Sequence, residues 1–402
     1  MIRTALRATS YAFLAMCMFL GGCAAKTKAP TTATVQPPAA VPGESKRYEA
    51  AHDLFLAEAK EGSASAQYNL GVMYAQGLEV PQDYKEAAKW YRAAAEQGHA
   101  EAQNAMGFMY YIGQGVSKDY KEAIKWYKRA AQQGVAGAQF NLGLMNEKGL
   151  GVPQDYKEAI KWYTFAAGQE DARAQYNLGS MYYNGEGVPT NRNEAFHWYE
   201  LAGDQGIVRA QYNLGSMYYN GDGVSRNHKL AAHWYRLSAE QGFAPAQNNL
   251  GSLYYNGDGV SRDYKEAVKW YRLAAEQKDA AAQNNLALMY EKGQGVQQDY
   301  KEAAHWYRLA GEQGVAKAQN NLGFMYARGQ GVSQDFKEAA IWFKLSAEQG
   351  FAPAKCNLAE MYVLGHGIKK NLAMAKKLAK EGTAAGAMYC HVVWKKYKLA
   401  SH

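Results

Sequence analysis

Ala66-Gln-Tyr-Asn-Leu-Gly-Val-Met-Tyr-Ala-Gln-Gly77, then Leu78 to Gln82, then Asp83-Tyr-Lys-Glu-Ala-Ala-Lys-Trp-Tyr-Arg-Ala-Ala-Ala-Glu-Gln-Gly98, is the stretch that decides the fold. Ala66, Leu70, Met73 and Tyr74 fall at i, i+4, i+7 and i+8, which is one face of a helix. Gly77 ends that helix, because glycine enters the left-handed conformation without a steric penalty. Asp83 is placed to cap a second helix, with Glu86 three residues on as in a capping box. Ala87, Trp90, Tyr91 and Ala94 form its apolar face, and Gly98 closes it. The stretch is a two-helix hairpin.

The hairpin recurs. Trp90, Trp126, Trp162, Trp198, Trp234, Trp270, Trp306 and Trp342 are spaced by 36 residues throughout. Residues 66–353 are eight such units without insertion, a ninth and weaker one begins at Ala354, and a half-unit around Leu54 precedes them. Self-similarity at this period predicts an all-α solenoid of two-helix repeats, in which each unit packs only on its neighbours. A residue needed once at a site would not be repeated eight times, so the tryptophans read as core wedges of the hairpins. Removing one by Trp→Ala in a central unit is expected to cost about 3–5 kcal/mol. Gly71, Gly107, Gly143, Gly179, Gly215, Gly251 and Gly323 lie mid-helix, where glycine costs about 1 kcal/mol against alanine. Their recurrence predicts close approach of the two helices there.

The pattern Ala-x-x-x-Leu-Gly-x-x-Tyr-x-x-Gly-x-Gly-Val followed by Asp-x-x-x-Ala-x-x-Trp-Tyr-x-x-Ala-Ala-x-Gln-Gly resembles the Sel-one-like repeat (SLR), a relative of the tetratricopeptide repeat. The resemblance implies a right-handed α/α superhelix whose concave side binds partners. The chain departs from the pattern at Glu79 (a loop glycine), Asn146 (the first-helix tyrosine), Ala287 and Ala359 (the helix glycine) and Leu378 (the tryptophan). Ala287, Ala359 and Leu378 predict weaker packing late in the array, and Leu54 and Leu378 mark capping units. The pairs of cysteines that cross-link each repeat in the cysteine-rich members are missing here.

Residues 1–22 read as an export signal, with Arg3 and Arg7 ahead of the ten-residue apolar run Tyr11–Leu20. That run is short of the ~20 residues a bilayer span needs. Leu20-Gly21-Gly22-Cys23 resembles a lipoprotein lipobox. The resemblance implies cleavage before Cys23, acylation of Cys23 and, with Ala24 next, outer-membrane placement facing the periplasm or the cell surface. An ordinary secretion signal cut after Ala24 or Ala25 is the alternative. Residues 23–46, with Pro30, Pro37, Pro38 and Pro42, read as a disordered tether. Residues 47–65 then form an N-terminal capping half-repeat, and residues 354–402 the degenerate ninth repeat with a capping helix. Cys356 and Cys390 fall on helices that would be neighbours; a disulfide and two buried free thiols are both open readings.

The net charge of +8 belongs to the ends. Residues 369–402 hold eight lysines against Glu381, whereas the repeats are acidic overall. That distribution excludes a nucleic-acid-binding stripe. The lysine-rich end reads as the solvated face of a capping helix, with contact to anionic lipid or glycan as the functional alternative. No histidine pairing has metal-ligand spacing, and no nucleophile elbow or phosphate loop is present. The expectation is therefore no enzyme, no cofactor and no metal. Asn184-Gly-Glu-Gly187 and its counterparts at Asn220 and Asn256 lack the twelve-residue calcium ligand series and read as turns.

Positions that vary between repeats are the ones free to read a partner. On the first helix the third, seventh and tenth positions share a face. In units four to six they supply Tyr176, Tyr183, Tyr212, Tyr219 and Tyr255 around Ser180, Ser216 and Ser252. Tyrosine-rich surfaces suit peptide or sugar recognition; the competing reading packs these rings between adjacent helices. The series Asn177, Asn213, Asn249, Asn285 and Asn321 predicts side-chain hydrogen bonds stitching adjacent repeats. Two function classes stay open. One is an envelope-anchored adaptor for protein partners; the other is a binder of cell-wall glycan or host-surface ligands linked to virulence. The oligomeric state is not fixed by the sequence.

Overall fold

The computed structural model describes residues 44–397. The residues read as an export signal, most of those read as a tether, Cys23 among them, and residues 398–402 lie outside them. Twenty α-helices and no strand occupy the described residues. The helices alternate at a 36-residue period, the first hairpin being Ala64–Gln76 and Tyr84–Glu96. Two compact units divide at Ala174. The opening helix, Glu44–Lys60, starts three residues ahead of the expected half-repeat, so residues 44–46 are helical and not tether. Its Phe55 and Ala59 pack on Ala66, Leu70 and Met73, the part a preceding second helix would play.

Each second helix is capped as expected. Asp83 Oδ1 accepts from the backbone N–H groups of Lys85 at 2.8 Å and Glu86 at 3.1 Å. The glutamates do not complete a capping box. Glu86, Glu122, Glu158 and Glu266 pair with lysines one turn on, and Glu302 and Glu338 accept from the indole N–H of Trp306 and Trp342. First helices end on glycines in the left-handed region, for example Gly77 at φ 68°.

The mid-helix glycines mark the closest approach within a hairpin. A Cβ at Gly71, Gly107, Gly143, Gly179, Gly215, Gly251 or Gly323 would lie 2.5–2.8 Å from the ring of the second-helix Tyr or Phe twenty residues on. The ninth repeat solves the same packing problem otherwise. Ala359 faces a second helix in which Ala379 replaces the ring, and both are fully buried. The expected weak packing at Ala359 is therefore not found; a small pair has replaced a glycine–tyrosine pair.

The tryptophans act one layer out from their expected place. Trp126 belongs to the cluster of Ala87, Tyr91 and Ala94 from the preceding second helix with Ala102 and Met106 from its own first helix. In the second unit, a Cβ at Gly203 would come within 3.2 Å of the Trp234 ring, and one at Gly311 within 3.1 Å of Trp342. The tryptophan is a wedge between consecutive hairpins. Trp126, Trp234, Trp270 and Trp342 are buried, while Trp90, Trp162, Trp198 and Trp306 are half-buried.

A glutamine pair repeats beside each wedge and was not singled out by the sequence. Gln67 Nε2 donates to the Ala59 carbonyl on the preceding second helix, and Gln97 Nε2 donates to Gln67 Oε1. The same geometry recurs in later repeats, as with Gln247 on Ala239 and Gln277 on Gln247. In the ninth repeat Lys355 takes the glutamine position and pairs with Glu381 at 2.7 Å. A disulfide joins Cys356 and Cys390, with Cα atoms 4.7 Å apart. Gly382 leaves the room it needs, since a Cβ there would lie 2.1 Å from Cys390 Sγ.

Candidate functional site

Tyr176, Tyr183, Tyr212, Tyr219 and Tyr255 all lie in the second unit, on the first helices Ala172–Asn184, Val208–Asn220 and Ala244–Asn256. Every one is half-buried. Tyr176 and Tyr212 lay their rings against the second-helix tyrosines Tyr199 and Tyr235, with centroids 5.8 Å apart in each case. Tyr219 stacks on His228 at 4.9 Å, and Tyr255 tilts against Tyr264 at 5.5 Å.

The serines between them have a defined job. Tyr199 OH donates to Ser180 Oγ at 3.2 Å, and Ser180 in turn donates to the Tyr176 carbonyl. Tyr235 to Ser216 to the Tyr212 carbonyl, and Tyr271 to Ser252 to the Asn248 carbonyl, repeat the relay. Asn213 and Asn249, each from the next repeat, favour the ionised phenols of Tyr199 and Tyr235, opposing the effect of burial. Of the expected asparagine series, Asn285 stitches adjacent repeats directly, donating to Asn248 Oδ1 at 2.9 Å, and Asn357 in the ninth repeat does the same to Asn320 Oδ1 at 2.8 Å. Burial raises these second-helix phenols, Tyr271 to about 12, so they stay protonated donors. The serines are thus not free groove groups; they are consumed by the fold.

Tyr183 stands apart from the other four. Its hydroxyl donates to Asp222 Oδ2 at 3.0 Å, the Arg192 guanidinium lies 3.6 Å from its ring centroid, and Arg192 pairs with Asp222 at 3.4 Å. Desolvation and the Asp222 carboxylate both push its phenol up. The triad ties the fourth repeat to the turn of the fifth. By contrast, the hydroxyls of Tyr176, Tyr212, Tyr219 and Tyr255 have no hydrogen-bond partner among the described residues, nor are they buried polar orphans.

Elsewhere, Arg272, Tyr290, Val296, Gln297, Gln298, Asp299 and Glu302 line an open hollow of about 540 Å³ that includes none of the five tyrosines. Among the described residues no group of His, Cys, Asp and Glu is placed to hold a metal ion. No described helix is long and apolar enough to cross a membrane.

Nine consecutive matches to the Sel1 repeat model run from residue 64 to residue 386, each first helix opening its own match. The chain belongs to the Sel1 repeat family. The matches begin two residues ahead of the units read from the sequence, at Ala64 and not Ala66. Among solved structures, the protective antigen c5321 of uropathogenic Escherichia coli strains, which displays an SLR fold, is 32% identical over 87% of this chain and 91% of its own, with a TM-score of 0.54. A Sel1 repeat protein from Oxalobacter formigenes is 33% identical over 61% of this chain and 96% of its own, with a TM-score of 0.53. No curated protein matches the chain. Sel1 repeat proteins generally mediate protein–protein interaction, and the family is generally non-enzymatic.

Proposed function

We propose that the chain is a non-enzymatic scaffold, anchored in the bacterial envelope through acylated Cys23, that holds a protein partner on the tyrosine face of repeats four to six. The four unpartnered hydroxyls of Tyr176, Tyr212, Tyr219 and Tyr255 carry this reading. Each sits on a ring already immobilised by a neighbour, so binding loses little side-chain entropy. Each retains a donor and acceptor that the fold does not use, beside second-helix tyrosines whose hydroxyls donate to the serines. Envelope anchoring rests on Leu20-Gly21-Gly22-Cys23, and outer-membrane placement on Ala24 following the cysteine.

The test is capture of envelope proteins by the full chain, with Tyr176, Tyr212, Tyr219 and Tyr255 changed together to Phe. The rings and their packing remain, so melting should be unchanged while partner retention falls at least about tenfold, three to four hydrogen bonds being lost. Undiminished retention sinks the reading. Incorporation of labelled fatty acid, abolished by Cys23→Ser, checks the anchor separately.

A second reading, binding of cell-wall glycan or a host-surface ligand, draws support from similarity to a protective antigen of uropathogenic strains. Retention of the chain on peptidoglycan or exopolysaccharide, lost in the same Phe variant and without any protein partner, would favour it.

A further inference from the structure

We propose that the C-terminal cap is a second membrane-contact site, which docks on an anionic bilayer surface through Met388, Val392 and the exposed lysines of the last two helices and the turn before them. The last helix, Met388–Lys396, is pinned to the ninth repeat by the Cys356–Cys390 disulfide and by buried Val393. Its outward side is fixed by that attachment. Met388 is 86% exposed and Val392 53% exposed, one turn apart on one face, with Lys395 one turn further on. Tyr389 is exposed beside them.

This face is not the stacking surface of an unfinished repeat. The helix opens 36 residues after Ala352, so Lys395 occupies the position that holds Gly71 and Gly323 in complete hairpins. There the ring of a second helix comes within van der Waals contact of the backbone. An exposed lysine at that point blocks a further second helix, whether from this chain or from another copy.

The charge around the pair is uncompensated. Glu360 and Glu381 are the only carboxylates between residues 360 and 397. Both are committed: Glu360 accepts from Tyr389, Tyr397 and Lys396, and Glu381 pairs with Lys355. Lys369, Lys370, Lys380 and Lys395 are exposed and have no ion pair among the described residues, whereas Lys377 also acts on Glu381. Lysines on the earlier second helices, such as Lys89, Lys125 and Lys161, are neutralised by a glutamate one turn before them. Exposed apolar side chains on the last helix, together with exposed lysines on it and on the helix and turn before it, match a bilayer with anionic headgroups, where apolar insertion and surface potential add.

The experiment uses the full chain with Cys23→Ser, so that no acyl chain is attached, and measures co-sedimentation with two kinds of vesicle. One is phosphatidylcholine alone and the other phosphatidylcholine doped with phosphatidylglycerol. Binding should be stronger to the anionic vesicles and should fall steeply with added salt, a readout that needs no variant. Lys377→Glu, Lys380→Glu and Lys395→Glu together should lower the anionic-vesicle partition by on the order of 100-fold. Met388→Ser with Val392→Ser should lower it about tenfold or more, with the disulfide and helical content intact. Equal binding to both vesicles, or binding that survives the charge reversals, overturns the proposal. So does self-association of the lipid-free protein that the Met388→Ser, Val392→Ser pair abolishes, because the face would then serve a second copy.

Discussion

Replacing Gly215 by alanine should destabilise its hairpin, and replacing Gly143 should not, although the two sites look alike. In both, the new Cβ would lie 2.5 Å from Cδ1 of the facing tyrosine, Tyr235 or Tyr163. Both substitutions gain about 1 kcal/mol of helix propensity. They differ in what holds the ring. Tyr235 OH donates to Ser216, the residue next to the glycine, while the asparagine of the next repeat acts on the phenol in both kinds of repeat, Asn249 on Tyr235 and Asn321 on Tyr307. Displacing that ring breaks a short, rigid relay. Overpacking then costs about 1–3 kcal/mol and the lost hydrogen bond about 1 kcal/mol. The net is a loss of about 1–3 kcal/mol. Tyr163 OH instead donates to Glu147 at the end of a longer side chain, which can follow the ring. The seventh repeat already shows the outcome: Ala287 faces a fully buried Tyr307 whose hydroxyl donates to Glu291. Gly143→Ala should therefore fall within about 1 kcal/mol of the parent. Because repeat arrays lose two-state behaviour, the measurement is the opening free energy of each hairpin by hydrogen exchange, supported by urea midpoints. A stabilised Gly215→Ala, or equal losses at both sites, would refute the reasoning.

Tyr127 OH is buried with no partner, and burial pushes its phenol well up; Tyr127→Phe should thus be neutral or stabilising by about 1 kcal/mol, while Tyr163→Phe, which strips a donor from Glu147, should destabilise by about 1–3 kcal/mol. Denaturant midpoints of the two variants decide this. Glu170 and Lys278 sit at φ 63° and 68°, where the other repeats carry glycine; Glu170→Gly and Lys278→Gly should each stabilise by about 1 kcal/mol in thermal unfolding. His99 caps the helix Ala100–Ile112 by accepting from Ala102 N–H through Nδ1, and burial holds its pKa below 6.5. A lowered folded-state value means this stabilisation is present above pH 6.5 and is lost as pH falls below it through the folded-state pKa. His99→Asn, which keeps a cap that does not titrate, should flatten that part of the stability–pH curve; an unchanged slope would exclude the histidine.

The scaffold was legible because it is written nine times. The tryptophan comb, the Asp caps and the glycines each recur at 36 residues, and a periodic signal survives any single departure. What the period could not tell was which surfaces a repeated residue joins. Trp126 and Trp234 were readable as apolar wedges, but only packing shows that they lock one hairpin to the previous one. The Gln67–Gln97 pair is equally periodic, but glutamine on a helix normally reads as surface. Its signal was invariance at a position where an exposed residue would drift. Ala359 read alone suggested a defect, whereas read with Ala379, twenty residues on, it is a compensated exchange.

The candidate face was the least legible part, because serine beside tyrosine reads as space when it is in fact an acceptor. Ser180, Ser216 and Ser252 appear where the facing residue is Tyr199, Tyr235 or Tyr271. They give way to Leu144 and Leu288 where Glu147 or Glu291 takes the hydroxyl instead. The variation that marked repeats four to six as a reading surface is thus partly a change in how an internal phenol is satisfied. What the fold does not account for is narrower: the outer tyrosines Tyr176, Tyr212, Tyr219 and Tyr255. Tyr183 occupies the same repeat position as Tyr219 and Tyr255, yet its hydroxyl is spent on Asp222 and its ring on Arg192. Tyr183→Phe should therefore lower the stability of the fourth repeat by about 1–3 kcal/mol without weakening a partner held by the other four hydroxyls. If it weakens that partner as much as Tyr219→Phe does, the site extends across the Arg192–Asp222 pair and the division between structural and available tyrosines is wrong.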